Sequence, residues 1–345
     1  MKKHLISENG NFYKANLHVH TNVSDGRLSP KEVKEGYKSH GYSVVAFTDH
    51  EVFVPQNELC DDEFIALNSV EISINENGHE GDFNLKKTYH LNLYAKDQEQ
   101  KECAVCTAKD VFFEASKKYI SEFAKNNVLD KFHTVESIND LINRANNDGF
   151  LVCYNHPVWS LHNYSDYSGL KGLWGIEVYN TGSYIAGYED GLQPYEDLLR
   201  ENARVVPVCA DDAHNLKASA YGGWTMIKAE SLTYGNIITA LEKGDCYSST
   251  GPEIKTLTFE DGIVNITTSN VRKIMLVTDI RYAKVKRNDD VDFINEASFD
   301  ISDFIANATR ENSNRKRQPY FRIEVTDVYG KRAYTRAYYL NELEN

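Results

Sequence analysis

The segment Asn16-Leu17-His18-Val19-His20-Thr21 places two histidines, two residues apart, at the end of a short apolar run. Side chains at positions i and i+2 of a strand point to the same face, so His18 and His20 can reach one metal ion together. Asp25 follows five residues after His20, in a loop that continues with Gly26. Two imidazoles with a carboxylate nearby predict a cation site where this strand ends.

Histidines and acids recur at the ends of other strand-like runs. Six of the eleven histidines lie at such positions, a number that isolated structural histidines do not explain. The ends of parallel strands meet at one edge of a barrel, where active sites are built. Burying so many imidazoles and carboxylates together without a cation would be costly. The candidates that join His18, His20 and Asp25 are His50, Glu71, His90, His156, Asp212 and His214.

Up to about residue 250 the sequence alternates short apolar runs with amphipathic stretches. The runs predict strands over residues 15–20, 43–49, 67–74, 90–94, 150–155, 175–180, 205–210 and 224–229. Ser29-Pro30 predicts the start of a helix, and residues 111–126, 134–147, 193–202 and 234–243 predict further helices. This alternation favours parallel strands, either in a barrel or in a doubly wound sheet.

The pattern changes after Gly251-Pro252. Residues 253–345 contain strand-like runs separated by turn signals such as Asp261-Gly262 and Tyr329-Gly330. We therefore expect a small antiparallel β domain, arranged as a sandwich, to follow the α/β part.

Composition limits the classes of function. The chain has 345 residues, 41% of them hydrophobic, and its 38 basic and 51 acidic residues give a net charge of −13. Non-specific binding to nucleic acid or to an anionic membrane requires a basic surface, so neither is expected. No apolar run is long enough to span a bilayer, and no signal peptide is predicted. The six cysteines include one Cys-x-x-Cys pair, Cys103 and Cys106, without a second pair to complete a zinc site. This usage fits a reducing compartment, so we expect a cytoplasmic protein.

The ordered motifs resemble those of the PHP (polymerase and histidinol phosphatase) superfamily. They are His-x-His-Thr, Ser-Asp-Gly, Thr-Asp-His, an isolated Glu, an isolated His, His-Pro and Asp-Ala-His, and they extend over roughly residues 14 to 250. The β-rich tail is similar to that of the stand-alone hydrolases of this superfamily. The resemblance implies a distorted (β/α)7 TIM-like barrel over residues 12–252, followed by the β domain over 253–345.

The resemblance also implies two or three divalent metal ions. One metal would take His18, His20, Glu71 and Asp212; a second would take Glu71, His90 and His156; a third would take Asp25, His50 and His214. Glu71 would bridge two metals, and Glu71 with Asp212 would position the attacking water. Asp212 stands two residues before His214, so on a strand these two side chains would share one face and Asp211 would point to the other. The family usually has Ser where this chain has Asp211, and we expect Asp211, like Asp49, to orient other residues rather than to bind metal.

Imidazole and carboxylate ligands without thiolate suit Zn, Mn or Fe. The resemblance implies a phosphoesterase that uses a metal-activated water on a phosphomonoester or phosphodiester of a small metabolite or nucleotide. One alternative is a related metallohydrolase that cleaves a carbamate or an amide-type bond. Another is a binding module on a degenerate barrel, which the intact ligand set disfavours. Arg27 and His162 are candidates for contact with a substrate anion or for the pocket mouth.

Overall fold

A computed structural model of the chain describes residues 2–77, 81–189, 191–287, 293–309 and 316–343. The strands up to residue 250 are β1 (Lys3–His4), β2 (Asn11–Val19), β3 (Val44–Phe47), β4 (Ile65–Asn75), β5 (Thr88–Ala95), β6 (Phe150–Tyr154), β7 (Gly175–Asn180), β8 (Val206–Ala210), β9 (Trp224–Ala229) and β10 (Cys246–Ser249). The α-helices of this part are α1 (Pro30–Ser39), α2 (Glu122–Asn126), α3 (Val135–Asn147), α4 (Tyr164–Tyr167), α5 (Thr181–Ile185), α6 (Leu192–Arg200), α7 (Leu216–Ser219) and α8 (Tyr234–Lys243).

The C-terminal part is built mainly of strands. They are β11 (Ile254–Glu260), β12 (Ile263–Val271), β13 (Lys273–Thr278), β14 (Ala283–Arg287), β15 (Ile294–Asp300), β16 (Tyr320–Thr326), β17 (Arg332–Thr335) and β18 (Tyr338–Tyr339), with helix α9 (Ser302–Thr309). None of the helices formed by the described residues is long and apolar enough to cross a membrane.

Local sequence signals explain most helix boundaries. Ser29 caps α1, because its side chain accepts from the Glu32 amide while the Glu32 carboxylate accepts from the Ser29 amide. The predicted helix over residues 111–126 is wrong. That segment forms a 3₁₀ turn over Glu114–Tyr119 and then the short helix α2, and it leaves Phe112 and Phe113 in extended chain.

The large sheet mixes parallel and antiparallel pairs. Strands β2, β3 and β4 are parallel to one another, and so are β6, β7 and β8. The expectation of parallel pairing throughout is wrong for β5, which runs antiparallel to both β4 and β6. The same holds for β9, which pairs antiparallel with β2 and with β10. The reversal of β5 brings its first residues to the edge where its neighbours end.

The chain that follows β8 approaches the end of β2 without a regular ladder among the described residues. Just after β8, the Asp212 amide donates to the His18 carbonyl at 2.9 Å, and the His20 amide donates to the Ala213 carbonyl at 3.2 Å. The regular strand order runs as an open path from β14 to β8. The observed architecture is therefore a mixed α/β fold with a large sheet, and a closed TIM-like barrel stays a prediction.

The core explains why the strands are apolar along their whole length. All four residues of β3 are buried, as expected for a strand covered on both faces. Helix α3 buries Ile138, Leu141, Ile142 and Ala145, which share one helical face and pack in the same cluster as residues of β5 and β6.

The C-terminal strands form two antiparallel sheets that share a core. One sheet has the order β1-β11-β12-β15, so the N-terminal residues Lys3–His4 belong to it. In the other, β17 pairs with β10, which joins these strands to the α/β sheet by hydrogen bonds. Leu257 and Ile266 of the first sheet lie in one apolar cluster with Ile274 and Ile323 of the second. This agrees with a sandwich-like arrangement, while the division at residue 252 stays a prediction.

Candidate metal centre

Nine side chains predicted from the sequence come together at one edge of the α/β sheet. His18 lies near the end of β2, and Glu71 lies within β4. His90 lies near the start of β5, where it pairs in register with Ser73 of β4. Because β5 is reversed, a residue at its start reaches the same edge as residues at the ends of the parallel strands. The others lie in loops or just after strands: His20, Asp25, His50, His156, Asp212 and His214.

Glu71 is the centre of the arrangement, and its two carboxylate oxygens face different imidazoles. Its Oε1 lies 3.0 Å from His90 Nδ1 and 3.3 Å from His18 Nε2. Its Oε2 lies 3.4 Å from His20 Nε2 and 3.3 Å from His50 Nδ1. The side-chain amide of Asn155 donates to Oε1 at 2.7 Å, which fixes the carboxylate orientation. A carboxylate that presents one oxygen to each of two donor clusters has the geometry of a bridging ligand.

Asp212 completes the cluster around His18 and His20. Its Oδ1 lies 3.2 Å from His18 Nε2 and 3.0 Å from His20 Nε2, which themselves are 3.1 Å apart. Asp212 reaches this position through a backbone φ of 53°, a left-handed conformation that Asp adopts more readily than most residues. Strand β8 has already ended at Ala210, so strand alternation is not what separates Asp212 from Asp211. We call His18, His20, Glu71, His90, His156 and Asp212 the inner group.

Asp25, His50 and His214 form what we call the outer group. Asp25 Oδ2 lies 3.1 Å from His214 Nε2 and 3.8 Å from His50 Nε2. His20 joins this cluster through its second nitrogen, 3.5 Å from Asp25 Oδ1, so it contacts both groups. One ligand atom from each of these four residues lies within 4.8 Å of the others. Gly26 allows the loop this close approach, because a Cβ there would lie 2.3 Å from the His20 carbonyl oxygen.

The donor atoms have the spacing and the chemistry of a cation site. Two ligands at ~2.1 Å from one ion, at tetrahedral or octahedral angles, are themselves roughly 3.0–3.4 Å apart. The contacts among His18, His20 and Asp212 fall in or close to this range. Asp212 Oδ1 and His20 Nδ1 are buried without a hydrogen-bond partner among the described residues. Buried polar atoms of this kind need a partner, so these residues fit divalent ions.

Electrostatics keep the carboxylates charged. Burial raises the pKa of Glu71, but His90, His18 and His50 outweigh it and hold this pKa well below its usual value. Burial also raises the pKa of Asp212, but His18 and His20 outweigh it and hold this pKa well below its usual value. Burial lowers the pKa of His50 to about 3, so His50 is neutral at neutral pH. Ionised carboxylates and neutral imidazoles are the forms that bind a metal ion. Burial lowers the pKa of His20, but Asp212 and Glu71 outweigh it and raise this pKa to about 10, so an ion that binds His20 displaces its proton.

Glu177 on β7 supports the inner group and was missed from the sequence. Its Oε1 lies 2.8 Å from His18 Nδ1, while its Oε2 accepts from the His156 amide and from Asn180. Metal-binding histidines commonly bond a carboxylate through their other nitrogen. The available signal was a single acid in the otherwise apolar run from Gly175 to Tyr179.

Asp49 and Asp211 hold backbone and hydroxyl groups rather than imidazoles. Asp49 accepts from the amides and hydroxyls of Thr21 and Ser24, which shapes the loop before Asp25. Asp211 accepts from Tyr37, from Thr181 and from the amides of residues 221–223. Burial raises the pKa of Asp211 despite these donors. The expectation that both orient other residues agrees with these contacts, but what they orient is loops and not ligating histidines.

The two predicted substrate contacts lie elsewhere. A cavity of about 460 Å³ opens beside the centre, and neither Arg27 nor His162 is among the described residues that line it. His162 bonds the Tyr154 hydroxyl through Nδ1, and its Nε2 lies 3.3 Å from His133 Nε2. Arg27 is exposed. The cavity is lined by Asp25, His50, Glu71, Ser73, Asn75, Gly81, Phe83, Lys86, His90, Phe112, Phe113, His156, Trp159, Asp212 and His214.

One family model and several solved structures are similar to this chain. The family model of the PHP domain matches residues 16–207. A two-domain protein from Bacteroides vulgatus, containing a predicted PHP-like metal-dependent phosphoesterase, is 13% identical with a TM-score of 0.43, over 97% of this chain and 98% of that one. An amidohydrolase from Chromobacterium violaceum, solved with bound sulfate, is 15% identical with a TM-score of 0.40, over 60% of this chain and 90% of that one. No curated protein matches the chain.

Proposed function

The chain belongs to the PHP domain family, and on that basis we propose that it is a metal-dependent phosphoesterase acting on a small phosphorylated metabolite or nucleotide. Water attacks phosphorus, the bond to the ester oxygen breaks, and the products are an alcohol and phosphate, or a phosphomonoester when the substrate is a diester. The observation that carries the proposal is the convergence of the inner and outer groups on Glu71, next to an open cavity.

The proposed ligand sets follow the observed clusters. The inner group would hold one ion between His18, His20, Glu71 and Asp212, and another between Glu71, His90 and His156. The outer group, Asp25, His50 and His214, would hold a third. When bound, clustered divalent ions lower the pKa of a water molecule and neutralise charge on phosphoryl oxygens. The number of ions, two or three, and their identity, Zn, Mn or Fe, belong to the proposal.

Each protein group then has a positioning task. Glu71 takes part in both proposed ligand sets of the inner group, and its Oε2 also lies 3.3 Å from Nδ1 of His50 in the outer group. Asp212 presents an unpartnered oxygen toward His18 and His20, where it can orient a water for attack. Glu177 holds the His18 ring in place through Nδ1. Closure of the sheet into the distorted barrel, through the contacts between β2 and the chain after β8, would keep these groups in register.

The proposal also includes the compartment of the enzyme and the kind of molecule that it binds. All six cysteines are free thiols, which supports a reducing cytoplasm. The partner is a small phosphorylated molecule, and the net charge of −13 supports the expectation that neither nucleic acid nor membrane is bound non-specifically.

A substrate screen tests the proposal. Purified protein, reconstituted separately with Zn, Mn and Fe, is incubated with phosphomonoesters, phosphodiesters and carbamates while phosphate and alcohol release are measured. We expect release from phosphate esters, abolished in Glu71→Gln and unchanged in Glu136→Gln, a matched change at an exposed position on α3. Turnover of carbamates without turnover of any phosphate ester would contradict the proposed phosphoesterase activity. It would favour the alternative, a metallohydrolase that cleaves a carbamate or an amide-type bond. Wild-type activity in Glu71→Gln would contradict the site itself.

A further inference from the structure

Two aromatic walls flank the centre in the cavity. On one side, the rings of Phe112 and Phe113 lie 6.1 and 5.4 Å from His50 between centroids. On the other side, Trp159 lies 5.5 Å from His90 and 5.0 Å from His156. Phe83 extends the second wall, 6.1 Å from Trp159. Each wall therefore contacts candidate ligands of a different part of the centre.

These rings are not core residues. Phe83 and Phe112 each expose 47% of their surface, and Phe113 and Trp159 are partly exposed. Large apolar side chains that line a concave opening, rather than a flat surface, are typical of ligand pockets. Water contact with these rings is unfavourable, so a ligand that covers them gains binding free energy.

Both walls are fixed to the backbone that carries the centre. Ser116 ties the Phe113 turn to the loop before Asp25, because its amide donates to the Phe113 carbonyl and its hydroxyl donates to the Val23 carbonyl. Trp159 lies in a turn closed by the Ser160 amide, which donates to the His156 carbonyl at 3.1 Å. The rings are thus held at set positions relative to His156 and Asp25, as recognition of a defined ligand requires.

A buried ion cluster connects the segment that carries Phe112 and Phe113 to the chain next to His50. Lys131 lies 2.8 Å from Asp110 and 3.5 Å from Glu51, and its side chain is almost completely buried. Glu51 follows His50, and Asp110 comes two residues before Phe112. The cluster therefore links the backbone beside a candidate ligand to the segment that carries the aromatic pair.

Resting on the proposed phosphoesterase activity, we propose that the substrate is a phosphate ester whose alcohol carries an aromatic ring. The phosphate lies at the inner and outer groups, and the ring lies against Phe113 and Trp159. Aromatic rings prefer offset or edge contacts with one another, each worth ~0.5–1.5 kcal/mol beyond the area they bury. Two such contacts correspond to a preference of roughly 10-fold or more over an alkyl group.

The first experiment compares benzyl, cyclohexylmethyl and butyl phosphate with the metal-loaded enzyme. All three release a primary alcohol of similar basicity, so differences in kcat/KM report recognition rather than leaving-group chemistry. We expect benzyl phosphate to exceed both others by about 10-fold or more. Equal values for benzyl and cyclohexylmethyl phosphate would overturn the aromatic class while leaving the phosphoesterase intact.

Variants of the walls test which residues produce the preference. Trp159→Leu and Phe113→Leu should each lower the benzyl-to-butyl ratio of kcat/KM several-fold, with metal content unchanged. Phe123→Leu is the matched control, since Phe123 is exposed on α2 and is not among the described residues that line the cavity. A ratio that stays at the wild-type value in both wall variants would overturn the assignment.

Measuring the binding of analogues that cannot be hydrolysed tests the aromatic pocket independently of phosphoesterase activity. Benzylphosphonate and butylphosphonate cannot be hydrolysed at the carbon–phosphorus bond, and their affinities for the metal-loaded protein can be measured by calorimetry. Tighter binding of benzylphosphonate by about 10-fold, without turnover of any ester, would support the aromatic pocket and contradict the phosphoesterase. Equal affinities, or no binding of either, would overturn the aromatic pocket.

Discussion

The inner and outer groups use the same side-chain types but are built differently. His18 and Glu71 of the inner group lie on strands, with side chains 0% and 1% exposed. Asp25 and His214 of the outer group lie on loops, with side chains 24% and 40% exposed. Strand register fixes the first pair, whereas the second pair depends on loop conformation. A single candidate metal centre can therefore combine ligands positioned by strand register with ligands positioned by loop conformation.

Supporting hydrogen bonds follow the same division. Behind the inner group, Glu177 and Asn155 bond His18 and Glu71 directly. Around the outer group, hydroxyl and carbonyl groups rather than a charged carboxylate bond the ligands: the Ser24 hydroxyl donates to Asp25 Oδ1 at 3.1 Å, and the Asp212 carbonyl lies 3.1 Å from His214 Nδ1. We therefore expect the inner group to bind metal more tightly, and the predictions below run from the largest expected effect to the smallest.

Glu71→Gln should produce the largest loss, because it removes the charge of a buried carboxylate whose two oxygens lie close to four imidazoles of the two groups. We expect turnover to fall well beyond the ~10–100-fold that is typical of residues supporting a ligand. Turnover at saturating metal and metal content per chain are the measurements. Normal metal content together with wild-type turnover would show that the groups are not joined through Glu71.

Asp212→Asn should reduce turnover by orders of magnitude, whereas Asp211→Asn should act mainly on stability. An amide at position 211 cannot accept from all the donors that now bond the carboxylate, so the free energy of unfolding should fall by about 1–3 kcal/mol. Denaturant titration and turnover at saturating metal separate the two effects. If Asp211→Asn abolishes turnover while Asp212→Asn is nearly normal, the assignment of these neighbours is reversed.

His214→Ala tests the outer group alone. Because Asp25 and His214 are on loops and partly exposed, we expect the variant to lose one ion per chain while the inner group keeps its metal. Elemental analysis during stepwise dialysis against a chelator measures this, with the wild type losing the same ion first. Simultaneous loss of all ions from the wild type would contradict the distinction between the two groups.

Glu177→Gln should lower metal affinity about 10–100-fold, since His18 loses the carboxylate that orients its ring. Excess metal should restore most of the turnover, which distinguishes this role from that of a ligand. A loss that excess metal does not restore would place Glu177 among the ligands.

His162→Gln should have the smallest effect. Because His162 bonds Tyr154 and lies outside the cavity lining, we expect turnover to change less than about 2-fold, within the small range usual away from functional features. A large rise in KM with unchanged stability would restore His162 as a substrate contact.

Local pattern was sufficient to find the nine candidate ligands. His18-Val19-His20 has the spacing of one strand face, and Glu71 stands alone in an apolar run, so both are visible without contacts. Glu177 has the same appearance as Glu71 but no motif around it. Whether such an acid binds metal or holds a histidine depends on what faces it, which only packing reveals.

The aromatic walls show where local pattern fails. Residues 111–126 have helical periodicity, yet they form short turns held by long-range bonds such as that from Ser116 to Val23. A helix there would have placed Phe112 and Phe113 on different faces. Tertiary contacts outweighed local propensity, as is common for short segments.

The sequence by itself determined the approximate positions of strands β2 to β9, the start of helix α1 at Ser29, and the residue types at the strand ends, because these depend on neighbours along the chain. Only the tertiary structure decided the reversal of β5, which brings His90 to the same edge as Glu71. It also decided the left-handed turn at Asp212 and the pairing of His18 with Glu177. These features depend on residues far apart in the chain, whose approach is set by sheet order and burial rather than by local periodicity.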